Sequence, residues 1–228
     1  MISKVVLGDC MNVLPKFPDN FFDLAVVDPP YFSGPEKRKY YGRSVSPIGV
    51  QRVYEQCEEW EIPTKEYFDE LFRVSKNQII WGINYFEVGR HIGSGRIVWD
   101  KCNGASSFSD CEIAYCSMIN SVRLFPLMWN GMFQAKSISE GRTQQGNKKL
   151  NEKRIHPTQK PVMLYDWIFQ KFAQPGQKII DTHLGSGSSR ISAYKSGLDF
   201  YGIEKDKSVL EKSNKRFADF MKGVVTND

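Results

Sequence analysis

Histidine is scarce in this chain, and long apolar runs are missing. The 228 residues include three histidines, at positions 91, 156 and 183, none at zinc spacing from a cysteine. The five cysteines, Cys10, Cys57, Cys102, Cys111 and Cys116, are odd in number and include no Cys-x-x-Cys pair. Structural zinc and a disulfide framework are therefore not expected, and no metal ligands are assigned. Most of the cysteines read as small buried apolar residues. No apolar run nears the length of a membrane-spanning helix, so no membrane partner is expected. The apolar segment within Met1–Asp9 is too short for a signal peptide and meets an acid at once, which points to a cytoplasmic protein. Repeats and low-complexity stretches are absent too.

What is present suits one large α/β domain spanning residues 1–228. Hydrophobic residues make up 41% and charged residues 25%, an ordinary globular balance. The net charge of +5 is a weak signal, but its distribution says more. Lys37, Arg38, Lys39 and Arg43 fall in residues 32–53, a stretch punctuated by Gly and Pro that reads as a mobile basic loop. Arg142, Lys148 and Lys149 fall in residues 120–154, which read as a small irregular insert with Phe125, Trp129 and Phe133 among polar residues. Either stretch alone is most simply a solvated surface. Two of them beside a base-binding corner favour contact with phosphates.

That corner is Asp28-Pro29-Pro30-Tyr31. It follows Leu24-Ala25-Val26-Val27, which reads as a buried strand, and in open α/β sheets ligands bind at the strands' carboxyl ends. Two prolines remove two N–H donors. The backbone then offers mainly carbonyl acceptors, next to a carboxylate and a flat ring. A planar base with an exocyclic amine suits such a corner.

A second constellation runs from Ile179 to Arg190: a strand ending at Asp181, a turn with Gly185, Ser186 and Gly187, then a helix. The next strand ends at Glu204, where an acid can bond ribose hydroxyls. A dinucleotide fingerprint would place a third glycine at position 190, which is Arg190. Asp181 would repel a pyrophosphate and attract a cationic aminoacyl group. S-adenosylmethionine, with its ammonium and sulfonium, fits better than NAD. Elsewhere strands are expected at Val5–Leu7, Gln78–Gly82, Arg96–Asp100 and Asp110–Cys116, and helices over Lys65–Val74 and from Lys160-Pro161 to Phe172.

These residues resemble the S-adenosylmethionine-dependent amino DNA methyltransferases of the β type, over most of the chain. Asp28-Pro29-Pro30-Tyr31 matches the family's catalytic motif, and Asp181-Thr182-His183-Leu184-Gly185-Ser186-Gly187 resembles its cofactor motif. His156-Pro157-Thr158-Gln159-Lys160-Pro161 matches the segment before that motif, and Trp99-Asp100-Lys101 and Phe108-Ser109-Asp110-Cys111-Glu112 resemble two further blocks. The catalytic motif comes first, which marks the circularly permuted β type. Thr182-His183 departs from the usual Pro-Phe and touches on cofactor affinity.

The resemblance implies a Rossmann-like seven-stranded mixed sheet with helices on both faces. It implies Asp28, Pro29, Pro30 and Tyr31 as the catalytic set. Asp9, Thr158, Lys160, Asp181, Gly185, Ser186, Gly187 and Glu204 follow as the cofactor set. It implies a flipped-out base in double-stranded DNA as substrate, and Asp at position 28 favours the 6-amino group of adenine. Three readings stay open beside this: cytosine 4-amino methylation, an RNA substrate, and a non-catalytic nucleic-acid-binding relative. A homodimer and a cognate endonuclease remain open as partners.

Overall fold

The computed structural model describes residues 1–31, 60–104, 109–130, 133–156 and 158–223. Lys37, Arg38, Lys39, Arg43, the rest of the 32–53 loop, Cys57, Phe108 and Pro157 lie outside the described residues.

Ten strands are described: β1 (Ser3–Leu7), β2 (Leu24–Val27), β3 (Gln78–Trp81), β4 (Arg96–Asp100), β5 (Cys111–Cys116), β6 (Val122–Pro126), β7 (Trp129–Asn130), β8 (Phe133–Gln134), β9 (Lys178–Asp181) and β10 (Asp199–Glu204). The helices are α1 (Cys10–Val13), α2 (Lys65–Val74), α3 (Val162–Phe172), α4 (Ser188–Lys195) and α5 (Lys207–Met221). The main sheet has eight strands in the order β1-β10-β9-β2-β3-β5-β4-β6. The first five run parallel, and β5 is antiparallel to both β3 and β4.

Seven strands were expected, and the eighth is β6. It lies within residues 120–154, which the sequence presents as irregular. Its outer residues Val122 and Leu124 are exposed at the sheet edge, while Phe125 is buried. Such an edge strand is short and buries little of one face, so it leaves a weak pattern. The same stretch also forms the β7–β8 hairpin. Phe125 stacks on Trp167 of α3 with centroids 4.4 Å apart, and Trp129 Nε1 donates to the Gln159 carbonyl at 2.9 Å. The segment is therefore built into the body of the fold.

Alternation along the central strands divides the core between two faces. Leu24, Val26, Ile79, Trp81 and Ile179 join Leu164, Ile168, Ala193 and Leu210 of α3, α4 and α5. Ala25, Val27, Ile80 and Ile180 join Tyr67, Phe68 and Leu71 of α2, with Met11 of α1 packed against them. Strands covered on both faces read as unbroken apolar runs, which is why β2, β3 and β9 were legible. Because β1, β10, β9, β2 and β3 are parallel, their carboxyl ends gather along one edge. There Gly8-Asp9, Thr182, Asp28 and Gly82 follow directly, and Glu204 is the last residue of β10.

Among the described residues, no helix is long and apolar enough to cross a membrane, and no cluster of ligating side chains suits a metal ion.

Candidate active site

The paired strands β2 and β9 bring the two constellations together. The chain leaves β9 toward β10 on one side and β2 toward β3 on the other, and a crevice opens at such a divergence. The cavity there has a volume of about 550 Å³. Its lining includes Asp28, Pro29, Pro30 and Tyr31 at one end and Gly185, Ser186 and Glu204 at the other, with Asp9, Thr158 and Lys160 also on its walls. Residues separated by more than 150 positions in the chain thus share one space.

Asp28 stands at the end of β2. Its Oδ2 pairs with Lys160 Nζ at 2.6 Å, and its Oδ1 is buried with no hydrogen-bond partner. Lys160 also reaches Glu112 Oε2 of β5 at 2.8 Å, and Glu112 Oε1 meets Lys101 Nζ at 2.6 Å. Burial pushes the Asp28 carboxyl up from its ordinary value, with Lys160 opposing. Burial also works against the charge on Glu112, but Lys160 and Lys101 outweigh it and hold that carboxyl low. Lys160 is desolvated as well, yet Asp28 and Glu112 keep its pKa well above the usual lysine range.

The Tyr31 ring lies parallel to Tyr85, with centroids 4.7 Å apart and planes 8° from parallel. Tyr85 is half exposed and ends a 3₁₀ turn, Ile83–Tyr85, that begins after Gly82. Gly82 has φ +69°, and a Cβ there would sit 2.5 Å from Tyr31 Cδ1. The glycine is needed twice, for the left-handed turn and for the ring laid against its backbone. Sequence reasoning passed over Tyr85; an exposed tyrosine after a strand carries no pattern of its own.

At the other end, Gly185 N donates to Glu204 Oε2 at 2.8 Å, which ties the glycine turn to the end of β10. Burial raises the Glu204 pKa. Asp9 caps α1 through Met11 N at 2.7 Å. Thr158 Oγ1 lies 3.1 Å from His156 Nδ1. Gly187 stands behind the wall, at φ +73°, where a Cβ would come within 2.4 Å of Ser213 Oγ in α5. Its lack of a side chain admits α5.

Asp181 also stands behind the wall. Its Oδ2 accepts from Ser189 Oγ at 2.5 Å and its Oδ1 from His183 N at 3.1 Å, and burial pushes its pKa up to about 7. The carboxylate braces the turn from inside. The Thr182-His183 pair does face the cavity. Tyr67 OH, Thr182 Oγ1 and His183 Nδ1 form a hydrogen-bonded chain with spacings of 2.6 and 2.9 Å. Burial lowers the His183 pKa to about 4, and that of His156 likewise, so both rings are neutral near pH 7.

Two anchors escaped the sequence reading. Glu152 Oε2 accepts from Val162 N at 2.8 Å, and its Oε1 accepts from Gln159 Nε2 and Arg216 Nη2, each at 2.7 Å. Arg216, on α5, also donates Nη1 to the Ser186 carbonyl and to Ser188 Oγ, both at 2.9 Å. The pair ties the glycine turn to the segment that carries Thr158 and Lys160. The recurrence of Leu210, Ser213 and Phe217 could have flagged α5, but nothing in a sequence marks one arginine on a helix as buried.

Of the basic residues proposed for DNA, Arg142 pairs with Asp100 at 2.9 Å. Lys148 and Lys149 are exposed on a 3₁₀ turn, Lys148–Leu150.

The fold and the cavity define a class I methyltransferase-type α/β domain with the acidic proline corner and the glycine turn facing one crevice. Residues 128–215 match the N6/N4 methyltransferase family model, described as DNA methylase. The chain is 26% identical over 212 residues to YubD of Escherichia coli K12, described as a methylase, covering 89% of this chain and 85% of that protein. The fold is shared with TTHA0409 of Thermus thermophilus, a DNA modification methylase solved with S-adenosyl-L-methionine. There the TM-score is 0.55 and identity 17%, over 95% of this chain and 93% of that one. It is shared also with the cytosine-N4-specific PvuII DNA methyltransferase, at TM-score 0.56 and 12% identity, over 100% and 94% of the two chains. Over residues 128–215 the chain is similar to the N6/N4 DNA methyltransferase family, and over most of its length it shares the fold of solved DNA methyltransferases.

Proposed function

We propose that the protein transfers a methyl group from S-adenosylmethionine to the exocyclic 6-amino group of an adenine flipped out of double-stranded DNA. The carrying observation is Asp28, a residue of the cavity lining whose buried Oδ1 has no hydrogen-bond partner. A buried polar atom left unpaired is costly, and a ligand donor can satisfy it. The amine N–H groups of the base are assigned to Asp28 Oδ1 and the Pro29 carbonyl. The base is placed against the Tyr31–Tyr85 aromatic pair, where stacking contributes roughly 1–3 kcal/mol. Fixing both N–H bonds orients the nitrogen lone pair, so catalysis rests on positioning.

The cavity residues fit the donor. Gly185 leaves open space toward the cavity, its hypothetical Cβ meeting nothing nearer than the His183 carbonyl at 3.9 Å. Glu204 and Asp9 supply acceptors on the lining. These two acids are assigned to the nucleoside part and the Gly185-Ser186 turn to the aminoacyl part. When bound, S-adenosylmethionine supplies an electrophilic methyl on a sulfonium. Lys148, Lys149 and Arg142 are assigned to DNA phosphates.

Aspartate at the first position of the proline motif supports adenine, while the fold shared with a cytosine-N4-specific enzyme favours cytosine as the second reading. Mass spectrometry of nucleosides from DNA incubated with the protein and S-adenosylmethionine separates the two. N6-methyladenine is the expected product; N4-methylcytosine would replace the first reading with the second. Isothermal titration with the donor checks the cofactor independently.

Gly82→Ala tests the aromatic wall. The new Cβ combines a strained left-handed φ with a 2.5 Å contact on the Tyr31 ring. Tyr31 must move, and misplacement on the ångström scale costs roughly 100-fold in rate. Methyl transfer should fall by about that factor in single-turnover assays, while titration shows the donor bound as before.

A further inference from the structure

Lys101, Glu112, Lys160 and Asp28 form a row of alternating charges that ends at the cavity. The links are 2.6 Å, 2.8 Å and 2.6 Å. Lys160 stands between Glu112 and Asp28, and its side chain is 3% exposed. Three strand ends and the lead into α3 build the row. Glu112 faces Trp99 across the β4–β5 register, and Lys101 follows β4. The ammonium of Lys101 sits 5.4 Å from the Trp99 ring centroid and that of Lys160 5.5 Å from Trp81, so each cation rests on a buried indole. Glu112 Oε1 and Asp28 Oδ2 are engaged by lysines, and Glu112 Oε2 has the Lys160 ion-pair contact but no hydrogen bond. Asp28 Oδ1 has neither an ion-pair contact nor a hydrogen bond.

We infer that Lys160 and Glu112 are positioning residues for Asp28: Glu112 holds the Lys160 ammonium on Asp28 Oδ2, so that Oδ1 is presented to the target amine. This rests on the amine-acceptor role proposed for Asp28. Lys160 acts through Asp28 and not on the methyl donor. Lys160 favours the ionised Asp28, and Glu112 disfavours it by like charge while securing the lysine. Other groups facing Asp28 are Lys101, Tyr31, Tyr67 of α2, Tyr165 of α3 and Asp181 of β9. The tyrosines are neutral in the working range because burial raises them all.

The two variants should act in opposite senses. Lys160→Met removes the cation, so the acid limb of kcat moves to higher pH, by about 1–3 pH units for a charge at this distance. Glu112→Gln keeps the shape, removes the like charge, and moves the limb to lower pH. The double variant should lie between them. The same order is read without turnover from the Asp28 ¹³Cγ titration by NMR, assigned by its loss in Asp28→Asn. Shifts in one direction for both variants, or none, overturn the inference. If Lys160→Met does not fold, Glu112→Gln decides alone, since an upward or absent shift defeats the proposal. Opposed NMR shifts in a protein that never methylates DNA would uphold the charge row and defeat the acceptor role assigned to Asp28.

Discussion

Asp28→Ala is expected to lower methyl transfer to DNA by about 10²–10³ while leaving the fold and donor binding in place. The variant removes the one buried acceptor that the described protein leaves unpaired at the cavity. It does not strand the buried cation, because Lys160 keeps Glu112 at 2.8 Å. Melting temperature should therefore change little. The lost interaction forms fully only as the amine nitrogen becomes pyramidal, so kcat and kcat/KM should fall together. Removing one such preorganised group lowers kcat by about 10²–10³. Tritiated-methyl incorporation measures the loss and titration calorimetry the retained donor affinity. Activity near wild type would remove Asp28 from the mechanism. Asp28→Asn should recover part of the rate at most, since its amide keeps an acceptor oxygen but lacks the charge that pairs with Lys160.

Arg216→Leu should produce the largest loss of stability. Arg216 is 8% exposed and reaches Glu152, the Ser186 carbonyl and Ser188 Oγ. Its removal leaves Glu152, itself largely buried, without its cation, and leaves a turn carbonyl without its donor. Breaking a buried pair in this way costs about 3–5 kcal/mol. For a domain of this size that lowers Tm by about 6–20 °C. The double variant Arg216→Leu with Glu152→Gln should regain part of the loss, because no carboxylate is then buried alone. Thermal unfolding of both variants gives the coupling. Donor affinity should fall along with stability in Arg216→Leu, since the same side chain steadies the Gly185-Ser186 turn.

The two motifs were legible because each packs its chemistry into a few neighbouring residues after an apolar run. β2 and β9 are buried on both faces, so their sequences are continuously apolar, and Asp28 and Asp181 punctuate their ends. β6 and α5 were not read. The first is an edge strand with Val122 and Leu124 exposed, and the second mixes Lys, Ser and Asn with its apolar residues. Asp181 shows the limit of a motif. Its place in the chain suggested a carboxylate open to a ligand, but the fold turns it inward onto Ser189 and His183.

The sequence by itself determined the acceptor-rich corner at residues 28–31, the glycine turn at 185–187 and the order in which they come. Local chain chemistry decides those features. The tertiary structure alone decided what Asp28 faces. Lys160 and Glu112 lie 132 and 84 residues beyond it in the chain. Only the pairing of β2 with β9 and β3, and of β5 with β3 and β4, closes those distances to ion-pair contact. Long-range charge pairing carries no local signature, because its energy comes from burial and geometry that exist only once the sheet has formed.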